Sequence, residues 1–174
     1  PAHANFGWFI PPVSKMIIPV AGLELAELFP GQLELTFGLS MVSFGAGLFL
    51  FLFVGAAVYH RYIYHDLPMS RLAPTFFIGM VPTAIVAALL YKMMHLFGSR
   101  DVLGIAPQSF VPLAKVAILI CWGFSAWWFV MACIVILHYV QEIELPFAMS
   151  WWAFPFPSGA LGIASAVAWK VSGF

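Results

Sequence analysis

Four stretches of the chain, residues 36–59, 72–91, 116–137 and 145–169, each run for twenty residues or more without a charged side chain. A hydrocarbon core about 30 Å thick is crossed by about 20 apolar residues as helix, so every one of these runs is long enough to span a bilayer. None alternates with a period of two, which excludes a membrane β-barrel. A fifth stretch, 8–29, is apolar but carries Lys15, Glu24 and Glu27. The expected fold is an all-α integral membrane protein forming a single transmembrane domain over residues 1–174. Its five transmembrane helices are expected at about 8–29, 36–59, 72–91, 112–138 and 146–169. The breakers Pro30-Gly31-Gln32 and the charged stretches 60–71, 92–108 and 141–144 read as loops. Charge agrees: only 8% of residues are charged and the net charge is zero, against about 25% charged in soluble domains. With no basic face to hold a phosphate backbone, nucleic acid is excluded as a partner. Cys121 and Cys133 share one apolar run and make neither a metal-type spacing nor a disulfide framework. Arg61 and Arg71 on one side balance Lys92 and Arg100 on the other, so the positive-inside count does not orient the chain.

Proline divides the spans into two kinds. The first holds Pro11, Pro12 and Pro19, the third Pro74 and Pro82, and the fifth Pro146, Pro155 and Pro157. The second has none and the fourth has Pro112 only near its start. Proline removes a backbone donor and clashes with the carbonyl four residues back. Pro155 and Pro157 would thereby free the carbonyls of Trp151 and Ala153, and free carbonyls are not tolerated against hydrocarbon. The odd spans are therefore expected to be bent and inside, the even spans straight and against lipid. Ser158, Gly162 and Ala166 recur four apart after the last prolines and read as a face for close helix packing.

Two sets of polar side chains bear on chemistry. Lys15 lies about one turn beyond Pro11-Pro12, well inside the first span. An intramembrane lysine is by default a functional candidate, here a positive site for an anion, although it could also snorkel to the headgroups. Glu24 and Glu27 favour an interfacial or inter-helix role. His60, His65, His95 and His138 sit at span ends, where a polar ring tip stays wet. A membrane redox subunit binding haem or quinone through His60, His95 and His138 is the alternative these rings allow. No arrangement for covalent or metal catalysis is present, so neither an enzyme nor a resident cofactor or metal is expected. Phe154 and Phe156 flank Pro155. A bulky ring at a helix break inside a pore can act as a steric or dewetting gate.

Three segments occur in order at span spacing: Gly7-Trp8-Phe9-Ile10-Pro11-Pro12-Val13, Leu72-Ala73-Pro74-Thr75-Phe76-Phe77-Ile78 and Trp151-Trp152-Ala153-Phe154-Pro155-Phe156-Pro157. They resemble the fifth, seventh and ninth spans of the tellurite-resistance/dicarboxylate transporter family, which includes malic acid transporters and plant slow-type anion channels. The resemblance runs over residues 6–170. It implies half of a ten-helix, pseudo-five-fold pore whose odd, proline-kinked helices line the lumen, in a homotrimer in the cell's inner or plasma membrane. It also implies that the first span starts in the cytoplasm, and that the chain is part of a longer transporter. By resemblance Phe156 is the pore-occluding phenylalanine; Pro12, Pro19, Pro74, Pro82, Phe154, Pro155 and Pro157, together with Lys15 for its depth in the first span, are expected to line or kink the pore. The expected function is transport of small anions, such as malate or another C4-dicarboxylate, chloride, nitrate or tellurite. Two positions depart from the family pattern: Pro155 stands where threonine is common, and Lys15 where small residues are usual.

Overall fold

The computed structural model describes residues 4–99, 104–142 and 145–173. Five α-helices follow one another: α1 Ile10–Leu28, α2 Leu33–Tyr64, α3 Val81–Ser99, α4 Pro107–Glu142 and α5 Pro155–Ser172. Among the described residues there is no strand. Four stretches, Phe6–Leu28, Pro30–Tyr64, Ser70–Gly98 and Pro107–Gln141, are long and apolar enough to cross a membrane. Helix α5 is shorter at 18 residues, and Ser158, Gly159, Gly162, Ser165 and Lys170 dilute its apolar character. The protein is thus an all-α integral membrane protein.

The odd spans are built in two parts. A 3-10 segment precedes each α-helix: Phe6–Phe9 before α1, Ser70–Met80 before α3, and Met149–Ala153 before α5. Each of these helices then carries proline in its first turn: Pro11 and Pro12, Pro82, and Pro155 and Pro157. First-turn amides have no intrahelical acceptor, so proline there costs nothing and its fixed φ suits the start of a helix. This corrects one expectation: the carbonyl of Trp151 is not freed by Pro155. The 3-10 turn gives it the Phe154 N–H at 3.1 Å, and the carbonyl of Ile78, opposite Pro82, accepts from Val81 N–H in the same way.

Pro19 is the exception, since it lies inside α1, which continues past it. Its missing donor belongs to the carbonyl of Lys15. That carbonyl accepts a hydrogen bond from the Ser43 hydroxyl of α2 at 2.9 Å. The two helices are close enough for this because α2 carries Gly47, where a Cβ would meet Met16 Cγ at 2.7 Å and the Pro12 carbonyl at 2.9 Å.

Helices α2 and α4 are unbroken over 32 and 36 residues. At 1.5 Å per residue they reach about 48 and 54 Å, well beyond the hydrocarbon core. The stretches expected as loops therefore continue as helix: His60 and Arg61 fall in α2, and Lys92 and His95 in α3. An uncharged run marks the depth of the bilayer, whereas a helix continues into the headgroups wherever no breaker stops it.

Burial separates the spans further. In the most apolar 18-residue stretch of each, 78% of span three is buried, against 39% for span one, 22% for span four and 11% for span two. The 3-10 segment Ser70–Met80 is the centre, buried without interruption from Ala73 to Met80. Phe6, Phe9 and Trp128 close around it. Helix α4 supplies the polar atoms this segment lacks. Trp128 Nε1–H donates to the Phe76 carbonyl at 2.8 Å. The Ser125 hydroxyl lies 3.1 Å from the Met80 carbonyl and 2.7 Å from the Thr83 hydroxyl.

Candidate functional site: a groove between three helices

Helices α1, α3 and α5 enclose an open groove of about 550 Å³. One face of each lines it: Ile17, Val20 and Glu24 from α1, Ala84, Ile85, Ala88 and Lys92 from α3, and Phe156, Gly159, Ala160 and Ile163 from α5. Every set follows the three-and-four spacing of one helical face. A second hollow of about 790 Å³ continues it, sharing Ala88, Lys92 and Ile163 and adding Glu27, Tyr91, His95 and Val167.

The groove has an apolar end and a charged end. At the apolar end is Phe156, 48% exposed. At the charged end the Lys92 ammonium donates to the Glu24 carboxylate, tying α3 to α1. Nearby, the Lys170 ammonium stands 5.7 Å from the centre of the Tyr91 ring, and His95 meets the same ring edge-on at 4.6 Å.

The residues singled out in the sequence separate into distinct places. Phe154, two positions from Phe156, is turned into the core, edge-on to Phe77 at 4.7 Å and to Trp151 at 5.4 Å. Two residues are about 200° of helical rotation, which accounts for the different surroundings of the two rings. Pro12, Pro19, Pro74, Pro82 and Pro157 are buried and Pro155 is exposed. None of them lines the groove; they set the helices that do. Lys15 is exposed but is likewise not among the lining residues. At 100° per residue it sits about 200° from Ile17 and about 180° from Glu24, on another face of α1.

Ser158, Gly162 and Ala166, read as a packing face, are all exposed. The packed face of α5 is instead Pro157, Ala164, Val167 and Ala168. Small residues four apart mark a face on which close approach is possible, without saying which face meets a neighbour.

The histidines do not converge. His60 and His138 lie near the ends of α2 and α4, while His95 lies toward the opposite end of the bundle, near the end of α3. Each meets a nearby tyrosine ring, His60 tilted on Tyr64, and His138 and His95 edge-on to Tyr139 and Tyr91. The haem or quinone reading finds no support in this arrangement.

Sequence reasoning missed Lys92, which it placed in a loop, and the aliphatic residues of α1 and α3 that face the groove. The signal was available in Ile17, Val20 and Glu24 and in Ala84, Ala88 and Lys92, which repeat at one-face spacing.

A family model described as voltage-dependent anion channel (SLAC1) matches residues 1–173. The chain belongs to the voltage-dependent anion channel family. This is the tellurite-resistance/dicarboxylate family that the three proline-containing segments resemble. Two relatives from Methanocaldococcus jannaschii, the uncharacterized transporters MJ0762 and MJ0576, are 36% and 37% identical over 173 residues. Each alignment covers 99% of this chain and 48% of the relative, so the chain spans about half the length of these family members. No solved structure gives a significant match to this member of the voltage-dependent anion channel family.

Proposed function

We propose that the groove between α1, α3 and α5 is one wall of a path for small anions across the membrane. The other helices of a longer transporter close it, and Phe156 is the ring that occludes it. The observation that carries this reading is the contrast between two nearby rings: Phe154 is partly buried and packs against the core, while Phe156 stands half-exposed in a groove walled by the three proline-bearing spans. The family description and the transporter relatives support the same reading. C4-dicarboxylates such as malate, and chloride, nitrate or tellurite, are the substrates to test. Assembly as a homotrimer belongs to the same proposal.

The mechanism uses no covalent chemistry and no cofactor. Phe156 is the second residue of α5 and lies at the positive end of its dipole. Because Pro155 and Pro157 lack amide hydrogens, Phe156 alone of the first three residues offers an N–H. An anion is attracted there and held weakly, as passage requires. The ring removes space and water, so the anion meets both a steric and a dehydration barrier. Beyond it, Lys92 offers positive charge that Glu24 offsets.

The test is anion flux into liposomes carrying the whole transporter. Phe156→Ala should raise flux roughly tenfold, the equivalent of about 1.4 kcal/mol of barrier, with the order of preference among anions unchanged. Phe154→Ala should not raise it. Flux raised by Phe154→Ala and not by Phe156→Ala would move the gate to the other ring. No flux with any of the named anions would remove the reading.

A further inference from the structure

Lys92 stands where two hollows join. It lines both the groove between α1, α3 and α5 and the larger hollow that continues it toward the end of α3, and it is the charged residue that the two have in common. A carboxylate of α1 lines each: Glu24 the groove and Glu27 the end hollow. Three residues apart, the two carboxylates are neighbours on one face of α1. The Lys92 ammonium is bonded to Glu24.

Three features make this pair open to exchange. The first is its setting. Glu24 and Lys92 both lie within stretches long and apolar enough to cross a membrane, Phe6–Leu28 and Ser70–Gly98, where paired ionisable side chains beside a cavity mark ion and substrate pathways. The second is asymmetry. The Lys92 side chain is 25% exposed and that of Glu24 is 63% exposed, so Glu24 is the member that can turn away into water, while Lys92 needs an acceptor where it stands. An ammonium has three N–H donors, and Glu24 takes one of them. The third is room. The end hollow is about 790 Å³ and the groove about 550 Å³, the size of small-ligand sites. The other residues the two share, Ala88 and Ile163, are apolar, so the ammonium is the polar group that an anion meets at the junction.

We propose that Glu24 is a tethered competitor of the passing anion for Lys92. An anion moving between the end hollow and the groove takes the ammonium while Glu24 turns to water. When the anion leaves, Glu24 takes the ammonium back. The device deepens the transport reading and rests on it. Lys92 sets the affinity, and Glu24 keeps the anion from being held too tightly to leave, as conduction demands. Because the competitor is a carboxylate, the site takes a small carboxylate or oxyanion whose oxygen can replace that of Glu24.

The test measures flux of nitrate and of malate against concentration in liposomes carrying the whole transporter. Glu24→Gln should lower KM about fivefold, the worth of one ion pair reached by solvent, and Lys92→Met should raise it roughly tenfold. A pair that only ties α1 to α3 would move KM the same way in both variants, and that result overturns the proposal, as do unchanged KM values. Glu24→Gln in a Lys92→Met background separates competition from simple repulsion of the anion. Competition predicts little further change, and the same fivefold gain in both backgrounds overturns it. Should Lys92→Met not fold alone, the double variant serves, since it leaves no unpaired charge: its KM should stay well above that of wild type, and a KM at or below wild type overturns the proposal. Binding of the same anions in nanodiscs, read as a rise in Tm, keeps the two readings apart. Flux without these KM shifts leaves the path and removes the competitor. No flux, but a rise in Tm that Lys92→Met abolishes and Glu24→Gln brings to lower concentration, keeps the exchange at Lys92 and removes the path. Neither flux nor a rise in Tm removes both.

Discussion

Helices α2 and α4 are the longest unbroken helices of this molecule and are little buried, while the 3-10 segment Ser70–Met80 is the least regular part and the most buried. The two facts have one cause. A helix surrounded by lipid must satisfy its own backbone, and only an unbroken α-helix does so. A span surrounded by protein can depart from α-geometry wherever a neighbour supplies the missing donor. Ser43 does this for the Lys15 carbonyl and Ser150 for the Arg71 carbonyl, which Pro74 leaves without its 3-10 donor, while Trp128 adds an indole donor to the Phe76 carbonyl. Eleven residues of 3-10 helix would be exceptional in isolation, where runs above three or four are uncommon. Here the segment lies against α4, whose side chains reach its carbonyls. The outer helices thus serve as hydrogen-bond partners as well as packing for the broken inner ones.

This contrast can be tested at single residues. The largest effect is expected at Gly79. A Cβ there would stand 2.3 Å from Trp128 Nε1, so Gly79→Ala forces the two spans apart and should cost about 3 kcal/mol. The matching change in an outer helix, Gly123→Ala, has nothing within 4 Å of the new carbon. It should be neutral or stabilise by up to about 1 kcal/mol. Melting curves of the purified protein compare the two, and equal losses would erase the distinction between inner and outer spans.

Next is Trp128→Phe, which keeps an aromatic ring but leaves the enclosed Phe76 carbonyl without its indole donor. About 2 kcal/mol should be lost, read as a lower midpoint on thermal unfolding. No loss would mean that the 3-10 segment does not rely on α4.

The smallest effect is at Ser43. Ser43→Ala should cost about 1 kcal/mol, the usual net value of one hydrogen bond. In a Pro19→Ala background residue 19 regains its own N–H for the Lys15 carbonyl, so the same change should cost close to nothing. A double-mutant cycle gives the coupling directly. Equal costs in both backgrounds would separate Ser43 from the proline.

Much of the class and little of the site were legible in the sequence. Uncharged runs gave the membrane, the helices and their order, because hydrocarbon imposes length and charge limits that a linear sequence displays. The alternation of prolines picked out spans one and three as the more buried ones, because a backbone donor is lost at a position that can be read; α5, also expected inside, is instead largely exposed. Helix ends were less legible: His60, Arg61, Lys92 and His95 are charged or polar yet helical, since nothing after the membrane boundary breaks the helix there. The face each helix presents was least legible. Lys15, a candidate for the lumen, lies on a face of α1 away from the groove, and the small residues of α5 read as a packing face are exposed. Orientation about a helix axis follows from partners far away in sequence, and neither charge nor size at one position reports it. Phe156 and Phe154 are a favourable case, because two residues of separation oblige their rings to diverge whatever their partners.

The close seam between α1 and α2 also has a mechanical consequence. With Gly47 set against the backbone of Pro12 and Ser43 bonded to Lys15, the two helices cannot slide or part without a steric or hydrogen-bond cost, so they move as one lever. The Glu24–Lys92 pair couples that lever to α3. No hydrogen bond or ion pair among the described residues couples it to α5. Helix α5 is held instead from the other side: Trp122 Nε1–H of α4 donates to the Ser165 hydroxyl at 3.0 Å, and Lys170 stands over Tyr91 of α3, so the spacing of Phe156 from Ile17 and Val20 is set through α3 and α4 rather than by a direct tie between α1 and α5.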